Sequence, residues 1–174
     1  TLEMILAMPI QRGTYYLGKL TGFIQVSLVI AMIFAGMLLL YAPAEQVLIW
    51  GLSLFLELIL VVAFGLVMLF TFKQIPSALT GVFIIYAASR TATSIYLMSK
   101  YPIIPHTTIG QKFMDAFVEV LTWLLPDLHR FTQTEWLVYG TGNLSLLLPV
   151  FTQTAIYLAL LSAIALFDFY RKNF

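Results

Sequence analysis

The fold is decided by residues 47–71, which read VLIWGLSLFLELILVVAFGLVMLFT. This run carries a single charge, Glu57, and is longer than the ~20 apolar residues that cross ~30 Å of hydrocarbon. Residues 20–41, 76–98 and 146–169 have the same character. We therefore predict an all-α membrane protein, a polytopic transmembrane helix bundle with four spans in this chain.

Composition supports the same class of protein. Of the 174 residues, 61% are hydrophobic and only 10% are charged, and the mean hydropathy is +0.95. Soluble domains carry about a quarter charged residues, so these few charges could not cover a water-facing surface of this size. A net charge of +1 gives no electrostatic basis for a nucleic-acid partner. The lack of cysteine excludes disulfides, thiolate metal sites and thiol nucleophiles.

The basic residues predict the orientation of the spans. Arg12, Lys19, Lys73, Arg171 and Lys172 all fall on one side if both ends of the chain are cytoplasmic. The predicted order is a cytoplasmic segment over residues 1–19, three transmembrane helices over 20–98, an external region over 99–145, and a last transmembrane helix with a cytoplasmic tail over 146–174. Three basic residues of the external region count mildly against this orientation, namely Lys100, Lys112 and Arg130.

The predicted external region contains an amphipathic pattern. Apolar residues recur there at helical spacing, at Phe113, Phe117, Val120, Leu121 and Leu124. We predict a helix over residues 111–125 that lies in, or dips into, the outer interface and ends at Pro126.

The segment before the first span has a distinctive order of residues. It contains, in order, Glu3, Pro9, Arg12, Tyr15, Gly18 and Lys19. On physical grounds alone it reads as an interfacial amphipathic helix with snorkelling basic side chains. The order also resembles the cytoplasmic segment that precedes the third transmembrane helix of type-2 ABC exporter permeases. The closest branch is the permease linked to multicopper-enzyme maturation, which residues 125–131 (LPDLHRF) and 169–174 (FYRKNF) also resemble.

The resemblance implies a six-span permease of which this chain supplies the third to sixth spans. We accordingly expect the first two spans to be missing from this chain, which starts at Thr1 without an initiator Met. Residues 1–19 would form a coupling helix on which a separate ATP-binding-cassette ATPase subunit docks, in a bacterial inner membrane. The residues implied in coupling are Glu3, Pro9, Arg12, Tyr15, Gly18 and Lys19. A second permease copy or a homologue would complete a dimer among the membrane lipids.

No catalytic function is expected of the chain itself. It lacks the Gly-rich phosphate loop of ATPases, so ATP hydrolysis is expected in the partner subunit, and no cofactor is expected. The alternative function is a non-transporting membrane anchor or structural subunit of a larger complex.

Two ionisable residues fall within predicted spans, where charges are expensive and mark functional candidates. Glu57 and Arg90 lie ~15 and ~13 Å from the outer ends of sequential spans at 1.5 Å per residue. One interpretation is a buried ion pair that closes the outer half of the bundle. The other is an Arg90 that snorkels outward and a protonated Glu57. The neighbouring Ser89 and Thr93 could line a polar cavity or bond across helices. The simpler interpretation is that each bonds back to a carbonyl of its own helix.

The two histidines, His106 and His129, both fall in the predicted external region. They lie far apart in sequence and lack a tight ligand pattern, so they are weak support for a metal site. No metal site is predicted.

Overall fold

The computed structural model describes residues 12–72, 74–100 and 109–171, with side chains except at 12, 99, 100, 109, 111, 112, 169 and 170. These residues form helices and turns and contain no strand. The helices are α1 (Arg12–Leu38), α2 (Ala44–Thr71), α3 (Ile75–Lys100), α4 (Ile109–Leu124), a 3₁₀ turn (Leu128–Arg130), α5 (Thr134–Tyr139) and α6 (Leu144–Arg171). Four of them, α1, α2, α3 and α6, are long and apolar enough to span a membrane. The prediction of an all-α protein with four candidate spans is confirmed.

The first helix starts earlier than the predicted span. We placed the start of the span at residue 20, whereas α1 begins at Arg12 and runs without a break through Lys19. Nothing between Arg12 and Lys19 stops a helix, since Gly18 is tolerated and long basic side chains can snorkel to the interface. Residues 12–19 are therefore the first two turns of α1. The rest of the predicted coupling segment, with Glu3 and Pro9, lies outside the described residues.

The central helix of the bundle is α2, which packs against α1, α3, α5 and α6. A helix that is apolar around its whole circumference is stable only when other apolar groups surround it. An inner cluster joins the ends of α1, α2 and α6 that are predicted to be cytoplasmic. It consists of Tyr16, Leu20, Ala63, Leu66, Val67, Leu161 and Ala165.

An outer cluster joins α2 and α6 to the chain that follows α4. Its buried members are Leu60, Leu128, Phe131 and Val150. Leu60 lies about 24 Å along α2 from Ala44, taking ~1.5 Å per residue. The segment 126–132, hereafter the re-entrant turn, therefore reaches the middle of α2.

Part of the predicted external region over residues 99–145 packs against the helix bundle. Leu128 and Phe131 are 1% and 0% exposed, so burial of these two apolar side chains holds the turn inside the bundle. On the predicted outer side, Gly142 is clamped to the start of α2. Its N–H donates to Gln46 Oε1 at 2.9 Å, and its carbonyl accepts from Gln46 Nε2 at 3.3 Å.

The amphipathic helix α4 leads into the re-entrant turn. It spans Ile109–Leu124, close to the predicted residues 111–125, and it packs against α3. Its last turn meets α6, where Tyr157 Oη donates to the Leu124 carbonyl at 3.3 Å. Whether it lies in the outer interface or dips into it stays a prediction. Its exposed apolar side chains are Phe113, Met114, Phe117, Val120, Trp123 and Leu124.

Candidate functional site

The carboxylate of Glu57 lies at the centre of a buried polar network. Glu57 is 3% exposed and accepts three hydrogen bonds, two from α3 and one from the re-entrant turn. Tyr86 Oη and Arg90 Nη1 donate to Oε1 at 2.8 and 3.3 Å, and Thr132 Oγ1 donates to Oε2 at 2.7 Å. The ion pair inferred from the equal depths of Glu57 and Arg90 is present. It joins α2 to α3 and, through Thr132, to the re-entrant turn.

Arg90 holds the backbone of the re-entrant turn. Its Nη1 donates to the carbonyls of Leu128 and Phe131 at 2.7 and 3.2 Å, besides its contact with Glu57. Nη1 carries two hydrogens. One makes the short bond to the Leu128 carbonyl, and the other is shared between the Phe131 carbonyl and Glu57. Within a membrane, irregular backbone is tolerated only where protein groups or enclosed water satisfy it. Arg90 donates hydrogen bonds to two of these backbone carbonyls at once.

Ser53 and Glu57 hold the far end of the turn. The Thr132 N–H donates to Ser53 Oγ at 3.0 Å, and Ser53 is 0% exposed. Thr132 has φ 44°, in the left-handed region that a β-branched residue rarely adopts. Such a residue persists only where its surroundings fix it, and such residues concentrate at functional sites. Two hydrogen bonds to α2 fix Thr132 in this conformation.

The near end of the turn is held through Asp127. Thr93 Oγ1 donates to Asp127 Oδ1 at 2.7 Å, and Arg130 Nε donates to Asp127 Oδ2 at 2.8 Å. Thr93 therefore belongs to the network, although it bonds the turn rather than the Glu57–Arg90 pair. Ser89 is fully buried, and its Oγ has no hydrogen-bond partner in the described part of the chain. Of the four intramembrane polar residues predicted, three contact one another or the turn.

Sequence reasoning missed Ser53, Tyr86, Asp127 and Thr132. Each one is an ordinary polar residue in an apolar or loop-like context, and only the insertion of the turn brings them together. One signal was available, because Leu128 and Phe131 stand in an otherwise polar stretch. Two large apolar residues at i and i+3 outside a predicted helix indicate a segment that is buried.

At the other end of the bundle, the predicted coupling residues lie at the start of α1. Lys19 Nζ lies 4.9 Å from the centre of the Tyr15 ring, in a cation–π contact. Gly18 is exposed, with no atom within 4 Å of the place where a Cβ would stand. Arg12 opens the helix, and its side chain lies outside the described part of the chain.

The anchor of this end is Tyr16, which sequence reasoning also missed. Tyr16 is 0% exposed, its Oη donates to Ser162 Oγ of α6 at 2.9 Å, and its ring lies 6.1 Å from that of Phe70 on α2. The start of α1 is thereby attached to the two helices that make the most extensive contact in the bundle.

Of the two histidines, the structure describes only His129. His129 is exposed in the 3₁₀ turn, and His106 lies outside the described residues. Over residues 12–72, 74–100 and 109–171, no group of three His, Asp or Glu side chains is placed to hold a metal ion.

Comparison with known proteins finds no matching family model, no matching curated protein and no matching solved structure. Functional assignment therefore rests on the residues and on the geometry described above.

Proposed function

We propose that this chain is the membrane-spanning permease subunit of an ATP-binding-cassette exporter of the type-2 class. It forms the substrate pathway as a dimer with a second copy or a homologue, in a bacterial inner membrane. ATP hydrolysis takes place in a separate ATPase subunit that docks on residues 1–19. Four membrane-spanning helices and the order of residues from Glu3 to Lys19 support this function.

The observation that supports the proposal most is the attachment of Tyr16. A coupling segment can move a bundle only if it is fixed to the helices that must shift. Tyr16 lies directly between the coupling residues Tyr15 and Gly18, and its side chain reaches both α2 and α6. Displacement of residues 1–15 by a partner ATPase would therefore be passed to the core of the bundle.

The polar network has a role at the opposite end. In an exporter, the outer half of the bundle must be closed until substrate is released. The predicted orientation would put the re-entrant turn in that half, and Glu57 and Arg90 hold the turn between α2, α3 and α6. In the proposed mechanism, release of the turn from these two residues opens the outer half.

The experiment is ATP hydrolysis by the complex that the chain forms with its ATPase. The chain is purified from native membranes with an ATP-binding-cassette subunit and reconstituted, and vanadate-sensitive hydrolysis is measured. Arg12→Glu should abolish both co-purification and hydrolysis, because it reverses a charge in the docking segment. Arg171→Glu is the matched control. Arg171 is also predicted to face the cytoplasm, but it lies at the end of α6, outside the docking segment.

Two outcomes would contradict the proposal. If the ATPase stays bound after deletion of residues 1–11 and after Arg12→Glu, residues 1–19 are not the docking segment. If the complex shows no vanadate-sensitive hydrolysis, the chain is not a permease of this class, and the anchoring role becomes the better account.

A further inference from the structure

A cleft opens on the face of α6 beside the re-entrant turn. Its volume is about 400 Å³. One wall is a stripe of α6 residues at helical spacing, and the other is the side chain of Arg130. The apolar part of the lining consists of Leu148, Pro149 and Ile156, and the polar part includes Gln153 and Tyr157.

In the predicted orientation, the cleft lies at the depth of the outer leaflet. The 28 residues of α6 extend about 42 Å, roughly 12 Å more than the ~30 Å of hydrocarbon, so about 6 Å projects on each side. The middle of the cleft, near Gln153, lies about 13 Å from Leu144 at ~1.5 Å per residue. It therefore lies a few ångströms below the headgroup layer, within the reach of a snorkelling arginine.

Arg130 brings an exposed charge into this cleft. Its side chain is 61% exposed, and only its Nε is engaged, by Asp127. Asp127 also accepts from Thr93, so its carboxylate is divided between two donors. The guanidinium has four more N–H donors, and none of them bonds a described residue. An arginine at this depth must find an anion, water or another protein.

A cleft elsewhere in the bundle gives a useful contrast. It lies between α2 and α3 and has a volume of about 330 Å³. Its lining is apolar except for Glu57 and Tyr86, which hydrogen-bond each other. That cleft offers hydrocarbon packing alone, whereas the cleft on α6 adds unused donors from Arg130 and from the Gln153 amide, which has no hydrogen bond to a described residue.

We propose that the cleft on α6 binds an anionic phospholipid of the outer leaflet. The lipid phosphate accepts hydrogen bonds from Arg130 and Gln153, and an acyl chain lies against Leu148, Pro149 and Ile156. An anionic amphipath satisfies the unused donors and the apolar wall together, which neither water nor a free anion can do. This inference holds whether or not the chain is a permease.

The test is site-specific photo-crosslinking in lipid nanodiscs. A benzoylphenylalanine replaces Leu148, at the cleft, in the full chain. The discs contain phosphatidylcholine and phosphatidylglycerol in equal amounts, and mass spectrometry identifies the lipid attached to the α6 peptide. We expect phosphatidylglycerol to be labelled about tenfold more than phosphatidylcholine, because the choline cation of phosphatidylcholine offsets the phosphate charge beside Arg130, whereas phosphatidylglycerol keeps a net negative charge. The matched control is the same probe at Leu79, which lines the apolar cleft and should label both lipids equally.

Substitutions in the cleft show which of its residues cause the preference for phosphatidylglycerol. Arg130→Gln should bring the ratio close to one, and Arg130→Lys should keep most of it because the charge remains. Unchanged labelling at Leu79 would show that both variants are folded. Ile156→Trp fills the apolar wall without touching the charge, and it should reduce labelling at Leu148 by both lipids.

Several results would overturn the inference. Equal labelling by the two lipids at Leu148 would do so, as would a ratio that Arg130→Gln leaves unchanged. A crosslinked product of twice the chain mass would show that a second copy covers the cleft. Loss of lipid labelling in millimolar inorganic phosphate would show that the site takes a free anion.

Discussion

Replacement of Arg90 by methionine tests the network most directly, because it keeps an unbranched apolar side chain and removes the guanidinium donors. Arg90 makes three polar contacts: one to the carboxylate of Glu57 and two to turn carbonyls. Removal of one partner from a buried ion pair costs about 3–5 kcal/mol in soluble proteins. Polar contacts between membrane helices average only ~0.6 and reach ~1.7 kcal/mol each.

Three such contacts give about 2–5 kcal/mol, and the 36% exposure of the Arg90 side chain moves the expectation to the lower part of that range. We therefore expect Arg90→Met to lower the free energy of unfolding by about 2–3 kcal/mol. The control is Arg130→Met, which removes an ion pair with a 61% exposed arginine and should cost less than ~1 kcal/mol. Glu57→Gln keeps an acceptor oxygen and should cost about 1 kcal/mol.

The assay is reversible unfolding in mixed micelles with increasing sodium dodecyl sulfate, followed by fluorescence. Trp136, 3% exposed in α5 beyond the re-entrant turn, reports on that region. The double variant of Arg90 and Glu57 should cost about 1 kcal/mol less than the sum of the single ones, because the pair is lost only once. An Arg90→Met cost no larger than that of Arg130→Met would refute the view that Arg90 holds the turn. Additive costs in the double variant would refute the ion pair itself.

Three further substitutions are checked by the same unfolding assay. Tyr16→Phe should cost about 1 kcal/mol, because only the hydrogen bond to Ser162 is lost while the ring stays buried; no effect would contradict the anchoring role. Ser53→Ala should cost about 1–3 kcal/mol, since it leaves a backbone N–H of the turn without its acceptor; a neutral result would mean that the turn is not held there. Gly51→Ala should cost about 1 kcal/mol, because its new Cβ would stand 3.1 Å from a Cβ on α1, whereas Gly65→Ala, with no atom within 4 Å, should be neutral or stabilising; equal effects would contradict the close approach of α1 and α2.

The spans and the Glu57–Arg90 pair could be predicted because each follows from counting along single helices. Apolar length identifies a span, and two charges at equal depth on sequential antiparallel helices can meet. The re-entrant turn could not be predicted in this way. Its path depends on contacts between residues far apart in sequence, such as Ser53 with Thr132, and no local pattern encodes them.

Tyr16 was missed for a different reason. The resemblance directed the interpretation of residues 12–19 to their surface role, as groups that meet an ATPase. Helical spacing places Tyr16 and Leu20 on one face of α1, and both belong to the inner cluster. That periodicity was present in the sequence and indicates which face of the segment is turned toward the bundle.

The way the re-entrant turn is held also constrains the order in which the protein can be built. Both residues that satisfy its backbone from another element, Ser53 and Arg90, belong to α2 and α3, which leave the ribosome before the turn does. The polar turn would be poorly accommodated in lipid by itself, so its insertion has to wait until these two helices are side by side. Helix α6 is made after the turn and covers it with Val150. We therefore expect α2 and α3 to pack together first, the re-entrant turn to insert against them next, and α6 to cover the turn afterwards.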